Sequence, residues 1–312
     1  MNVLIEIVTP IFGLVAVGYG AARLGYFEAA RLRGLSYFAF AFAIPALLLR
    51  SMAQIELTGA LAWPFLASYY LSAFTIYAAG MAVSRLTFGH GLRGGAIGGF
   101  TASFSNTVLL GIPIVLTVFG ERATLPVFLI VAFHSLLMFP IATVMLEFRG
   151  GRGLRFGDLA RSTLGGLARN PILIGLVIGL TINILQLDLP TALDSLLEML
   201  GRAAVPVALF AMGASLHGYG IRGPLPESIT LVGLKLVLHP LLVWSLGRFV
   251  FELDPLWLQV AVIVAALPAG VNAYILAQRY ETLPAVAASS ILIGTAVSVA
   301  TISALLLLWS PI

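Results

Sequence analysis

The chain has 312 residues, 60% hydrophobic and 10% charged, with a mean hydropathy of +1.05. A soluble domain is about a quarter charged, so this composition belongs in a bilayer. The net charge of +4 rests on sixteen arginines and the single Lys235, set in short gaps between apolar runs rather than on a basic, aromatic-interleaved surface, which argues for membrane topology and against a nucleic-acid partner.

A membrane span needs about twenty mostly apolar residues. Ten such stretches follow along the chain, near 3–22, 35–52, 60–84, 95–119, 124–146, 168–187, 195–216, 228–250, 256–278 and 285–309. The first, "MNVLIEIVTP", has no basic leader and carries Glu6, so it is read as a span rather than a secretory signal. Alternate loops divide the arginines unequally. One set holds Arg23, Arg31, Arg33, Arg85, Arg93, Arg149, Arg152, Arg155, Arg161, Arg169, Arg222 and Arg279; the other holds Arg50, Arg122, Arg202 and Arg248 with most of the acids. The positive-inside rule then puts both termini on the outer, periplasmic or extracellular, side of a multi-pass cell (inner) membrane protein. No soluble domain is expected. The basic, glycine-rich stretch 148–167 reads as a cytoplasmic linker between halves 1–147 and 168–312. The chain has no cysteine, which excludes a disulfide framework and thiolate metal sites.

The halves echo one another. "TPIFGLVAVG" from Thr9 matches "NPILIGLVIG" from Asn170, with Pro10 on Pro171 and Gly18 on Gly179; at the same offset of 161, Pro45 falls on Pro206. Five spans per half is an odd number, so the second half is inverted relative to the first, an architecture of secondary transporters. The fourth span of each half is interrupted. In the first, "FSNTVLLGIPIVL" places Ser105, Asn106, Thr107, Gly111 and Pro113 inside an apolar run; in the second, "AALPAGVNAYILAQRY" carries Pro268, Gly270 and Asn272. Irregular backbone is tolerated at membrane depth where it is buried in protein or lines a wet cavity. Two interruptions meeting at mid-depth present half-helix N-termini to an anion, with asparagine amides and freed carbonyls for its polar remainder. The plainer alternative is that Pro and Gly only kink two ordinary spans.

"NTVLLGIPI", "AALPAG" with "LAQRY", "LARNP", "PIFGLVAVGYGAARLGYF" and "FAIPALLL" resemble the auxin efflux carrier family, which includes the plant PIN transporters and bacterial carriers of malonate, malate and similar anions. The resemblance implies an all-α polytopic fold of ten transmembrane helices in two inverted five-helix repeats. Helices four and nine are broken and cross, as in bile-acid/sodium symporters and NhaA-like antiporters. It also implies a scaffold and a transport domain, an elevator-like motion and a homodimer. On that likeness the substrate site is Ser105, Asn106, Thr107, Gly111, Pro113, Pro268, Gly270 and Asn272, with Lys235 added as a candidate cation. Where plant members carry a valine-proline pair, this chain has Asn272-Ala273, an extra amide that suits a small polar anion.

Single residues add candidates. A lysine inside a span is by default functional, so Lys235 is read as a substrate-facing or coupling cation, against the alternative that its stem snorkels to the interface. His239 and His134 are accessory or coupling candidates, against a structural hydrogen bond. Arg50, Glu6 and Gln278 end or begin spans and are accessory candidates, against interfacial roles. No Asp or Glu lies in the middle of a span, which disfavours a carboxylate-based cation/proton antiporter. The absence of GxSxG, HExxH and a paired membrane aspartate disfavours an intramembrane enzyme. The expected function is a secondary carrier of small mono- or dicarboxylates such as malonate or malate, working with no cofactor. The alternatives are a cation/proton antiporter of related fold and an auxin-like monocarboxylate exporter. Sodium or a proton as coupling ion, or drive by the substrate gradient and membrane potential alone, stay open.

Overall fold

Helix starts in this chain are set by proline and by side-chain caps. Proline lacks an N–H that the first helical turn does not need, and its fixed φ suits that position. Pro10, Pro171 and Pro255 each sit in a first turn, and the Asn170 and Asp254 side chains accept from the N–H groups of Ile172 and Leu256 at 3.0 and 2.9 Å. The computed structural model describes residues 8–54, 63–147, 165, 169–219 and 223–309. Their helices are α1 (Thr9–Arg23), α2 (Ala30–Gln54), α3 (Trp63–Leu86), α4 (Leu92–Ser103), α5 (107–119), α6 (Thr124–Glu147), α7 (Pro171–Ile184), α8 (Thr191–Tyr219), α9 (Leu225–Val250), α10 (Pro255–Ala265), α11 (Val271–Arg279) and α12 (Pro284–Trp309).

Among the described residues, six helical stretches are long and apolar enough to cross a bilayer: α2, α3, α5 continuing into α6, α8, α9 and α12; α7 and α10 are shorter apolar helices. With no strand among the described residues, the protein is an all-helical, polytopic membrane protein. The stretches expected at 95–119 and 256–278 are each divided, into α4 with α5 and into α10 with α11. The join between α5 and α6 is tight, a single 3₁₀ turn at Gly120–Ala123 that Gly120 enters at φ +67°.

Two groups of helices pack side by side. α1 lies along α8, α7 along α2, and α2 touches α8; the rest form the other group, with α3 against α4, α9 against α10 and α12, and α4 against α6. Lipid supplies no hydrophobic drive between helices, so close backbone approach over small residues carries the packing. A Cβ on Gly18 would lie 2.1 Å from the Phe210 carbonyl oxygen, and one on Gly179 2.3 Å from that of Leu49. Those two contacts are related residue for residue by the offset of 161 seen in the prolines. In the other group Gly80, Gly98 and Gly99 seat α3 on α4. The groups meet chiefly where α8 lies against α5 and α12.

Several helices open by one residue into a π turn: Ala39–Ala43 before Pro45, Thr107–Gly111 before Pro113, and Leu234–Leu238 before Pro240. Each precedes a proline, whose missing N–H and ring disturb the α ladder one turn earlier. The last of these turns carries Lys235.

Candidate functional site: a crossing of two interrupted helices

The interruption between α4 and α5 is short. Phe104 leaves α4 extended, at φ −76° and ψ 105°, and Asn106 at φ −76° and ψ 65° is the centre of an inverse γ-turn closed by the Thr107 N–H on the Ser105 carbonyl at 2.8 Å. α5 then begins with a wide turn, the Gly111 N–H reaching the Asn106 carbonyl at 3.0 Å. Across from it, residues 266–270 connect α10 to α11 and end with Gly270 extended at φ −72° and ψ 150°.

The two interruptions lie against each other as a minimal antiparallel ladder centred on Ser105 and Ala269. The Asn106 N–H donates to the Pro268 carbonyl at 3.0 Å, and the Gly270 N–H to the Phe104 carbonyl at 2.9 Å. Each broken helix thus satisfies backbone groups freed in the other, the condition for irregular chain in hydrocarbon. Gly270 has no room for a side chain: a Cβ would lie 2.9 Å from the Phe104 ring and 3.2 Å from the Ser105 carbonyl oxygen. Gly111 is tight too, its Cβ position 3.0 Å from Leu267.

A buried polar network supports the crossing. The Tyr69 hydroxyl, from α3, bonds Ser105 Oγ at 3.0 Å; the Ser105 N–H donates to Nε2 of His134, from α6, at 2.9 Å. That bond leaves Nε2 without a proton, so neutral His134 carries its hydrogen on Nδ1. From α9, Lys235 Nζ donates to the Ala265 carbonyl at the end of α10 and faces His239 Nδ1 at 3.2 Å. The Tyr69 ring meets His134 edge-on, with centroids 5.9 Å apart, and lies tilted against His239 at 5.5 Å. Tyr69, Ser105, His134, Lys235 and His239 are all buried. Lys235 does not snorkel: its head group ends against protein.

The expected site residues divide by position. Ser105, Asn106, Thr107, Gly111, Pro113, Pro268 and Gly270 are brought together at the crossing, with Lys235, His134 and His239 packed behind it. Asn106 Nδ2 points to α8, 3.2 Å from Met212 Sδ, a weak acceptor. Asn272 is half-buried in the first turn of α11. Arg50 is remote from the crossing and clamps α2 to α8, bonding Asp194 at 2.8 and 3.2 Å and Glu198 at 3.4 Å. Gln278 bonds the Tyr274 hydroxyl at 2.7 Å, one helical turn back on α11. Glu6 and nearly all of the linker 148–167 lie outside the described residues.

Two open cavities lie along α8. One, of about 340 Å³, is bounded by α2, α5 and α8 and includes Arg50, Glu121, Glu198 and Arg202. The other, of about 400 Å³, is bounded by α8, α11 and α12 and includes Tyr219, Tyr274, Gln278 and Glu281. Met212, where Asn106 touches α8, falls between the residues of α8 that line the two.

Sequence reasoning missed two participants in the crossing and one buried carboxylate away from it. Tyr69 belongs to an unremarkable "SYYL" run, and its only signal is a tyrosine pair in mid-span. Met212 looks like any apolar helix residue. Glu227 stands at a helix start, where a carboxylate is ordinarily hydrated. Here it is fully buried, accepting from Ser84 Oγ at 2.8 Å and meeting His90 Nε2 at 2.9 Å.

An all-helical membrane protein with paired interruptions meeting backbone to backbone is of the transporter class. Comparison with known proteins agrees: the family model described as membrane transport protein matches residues 3–306. The chain belongs to that family, the family of the auxin efflux carriers. It is 30% identical over 302 residues to the "Putative malonate transporter" of Rhizobium meliloti (strain 1021), covering 97% of this chain and 94% of that one. It is 23% identical to auxin efflux carrier component 8 of Arabidopsis thaliana, over 94% and 93% of the two chains. A 28% identity to the lysosomal cholesterol signaling protein of Mus musculus covers 66% of this chain and 25% of the mouse protein. The protein is therefore a membrane transporter and not an enzyme.

Proposed function

We propose that the protein is a secondary carrier of small organic anions, mono- or dicarboxylates of the malonate and malate kind, bound at the crossing between α4–α5 and α10–α11. The observation that carries this reading is the crossing itself. The starts of α5 and α11 meet there with N–H groups that precede the first intrahelical bonds, and the Lys235 head group stands behind them with no carboxylate bonded to it among the described residues. The relative named for malonate transport favours the substrate class. Asn106 and Asn272 are the side chains assigned to the anion.

The same reading takes the chain as ten spans in two inverted repeats, 1–147 and 168–312, with both termini outside. Support comes from the contacts of Gly18 with Phe210 and of Gly179 with Leu49, which the offset of 161 interchanges. α1, α2, α7 and α8 act as the scaffold, and the remaining helices carry the crossing past α8, so that the two cavities are the outer and inner approaches to one site. A homodimer through the scaffold is part of the proposal. Antiport through a mid-membrane carboxylate has less support, because the buried Glu227 belongs to the ends of α3 and α9 and is bonded to Ser84 and His90.

Uptake into proteoliposomes, with a panel of labelled mono- and dicarboxylates and with sodium and proton gradients imposed separately, tests the proposal. Accumulation or exchange of at least one small carboxylate is the expected result. If none is moved under any gradient, the anion-carrier reading is wrong.

A further inference from the structure

Interrupting a membrane helix frees the last carbonyls of its first half, and these form the negative end of the half-helix dipole. In carriers with broken helices such ends coordinate the coupling cation. At the end of α10 the Ala265 carbonyl is already occupied, by the Lys235 head group. That lysine is 1% exposed and rises from the π turn of α9, so its head group lies inside the protein. Its second neighbour is the ring nitrogen of His239, and no carboxylate is bonded to either group among the described residues. A buried ammonium is costly unless something compensates it. Here the group that faces it is the carbonyl end of α10.

Two more buried oxygens lie beside the Lys235 side chain. Thr101 of α4 and Ser290 of α12 are each 1% exposed, and neither hydroxyl has a hydrogen-bond partner. Both line an internal cleft together with Lys235, Pro268 and Gly294, and with the lysine in place the cleft admits no water. A free carbonyl and two hydroxyls are the hard, neutral oxygen donors that suit a small monovalent cation. A buried hydroxyl left unpaired is destabilising, so a pair of them on one cleft calls for an explanation.

We infer that Lys235 is a tethered cation. Its head group takes the place that a sodium ion takes at the end of an interrupted helix, so transport needs no external coupling cation. Removal of the side chain uncovers a monovalent-cation site formed by the Ala265 carbonyl, Thr101 and Ser290. This rests on the anion-carrier reading only where flux is concerned.

The test is thermal unfolding of the purified full-length protein in chloride salts of sodium, ethylammonium and N-methylglucamine. The wild-type midpoint should be the same in all three. Lys235→Ala should be lowest in N-methylglucamine and recover by about 3–6 °C in sodium or ethylammonium, which refill the vacated position. Lys235→Met, whose apolar chain fills the space without a charge, should not respond to the cation. Sodium stabilisation of the wild type or of Lys235→Met, or a Lys235→Ala midpoint equal in the three salts, overturns the inference. In proteoliposomes, replacing sodium by N-methylglucamine should leave wild-type anion uptake unchanged, and a sodium requirement overturns the tethered cation while leaving the carrier reading standing. Absence of any anion flux defeats the carrier reading and leaves the unfolding result to decide on Lys235.

Discussion

Gly270 is the residue on which the crossing turns, because the partner segment comes within contact distance of where a Cβ would be. Gly270→Ala must push Phe104 or the Ser105 carbonyl aside, an overpacking cost of about 1–3 kcal/mol. The expected outcome is a lower unfolding midpoint and loss of uptake, with partial recovery in Gly270→Ala combined with Phe104→Leu. No recovery in the double variant would show that the clash lies with the backbone carbonyl alone. His134 plays a different part. It accepts from the buried N–H of Ser105 at 2.9 Å. His134→Ala leaves that donor unpaired, so a loss of about 1–3 kcal/mol in unfolding free energy is expected, and an unchanged midpoint would refute the hydrogen-bonding role. Asn106→Ala and Asn272→Ala remove amides that the backbone ladder does not use. Both should abolish uptake and leave the unfolding midpoint within a degree or two; wild-type uptake in both would move the substrate site elsewhere.

At the level of elements, the scaffold depends on backbone contact between α1 and α8 and between α2 and α7. Gly18→Val and Gly179→Val each drive a side chain into a facing carbonyl. Each should destabilise by about 1–3 kcal/mol or block folding, and because the two contacts are related by the repeat, the costs should be similar. A large effect at one glycine and none at the other would argue against the repeat relation. The Arg50 clamp should matter less. It is a part-exposed ion pair with Asp194 and Glu198, and such pairs contribute about 0–1 kcal/mol. Arg50→Ala should therefore shift the midpoint little, and any fall in uptake reports on the cavity it lines rather than on folding.

For the whole molecule the testable quantity is sidedness. The chain has no native cysteine, so single cysteines report without background. A cysteine at Glu121, in the cavity by α2, α5 and α8, should react with an impermeant thiol reagent added outside intact cells. A cysteine at Gln278, in the cavity by α8, α11 and α12, should react only after the inner face is opened. The reverse pattern would invert the proposed topology, and labelling of both from one side would refute two separate approaches to one site.

How much of this could be read from the residues alone depends on the range of the forces involved. Hydropathy is local, so the positions of the apolar stretches, the charge asymmetry of the loops and the interruptions at 104–106 and 266–270 are written along the chain. Proline and glycine act on their own backbone, and so Pro113, Pro268 and Gly270 were legible where they stood. Pairing between distant segments is another matter. That Asn106 donates to Pro268, that Tyr69 and His134 both hold Ser105, and that Lys235 ends on the Ala265 carbonyl are consequences of how the two groups of helices pack. The same holds for Arg50, which by sequence ends a helix and in the fold ties two together, and for Glu227, whose position implied solvent and whose packing removed it. Local pattern along the chain is enough to specify a membrane protein with two weak points in its helices. That those weak points meet follows from packing, because in a bilayer a freed backbone group must find its partner inside the protein, and which partner it finds does not depend on order along the chain.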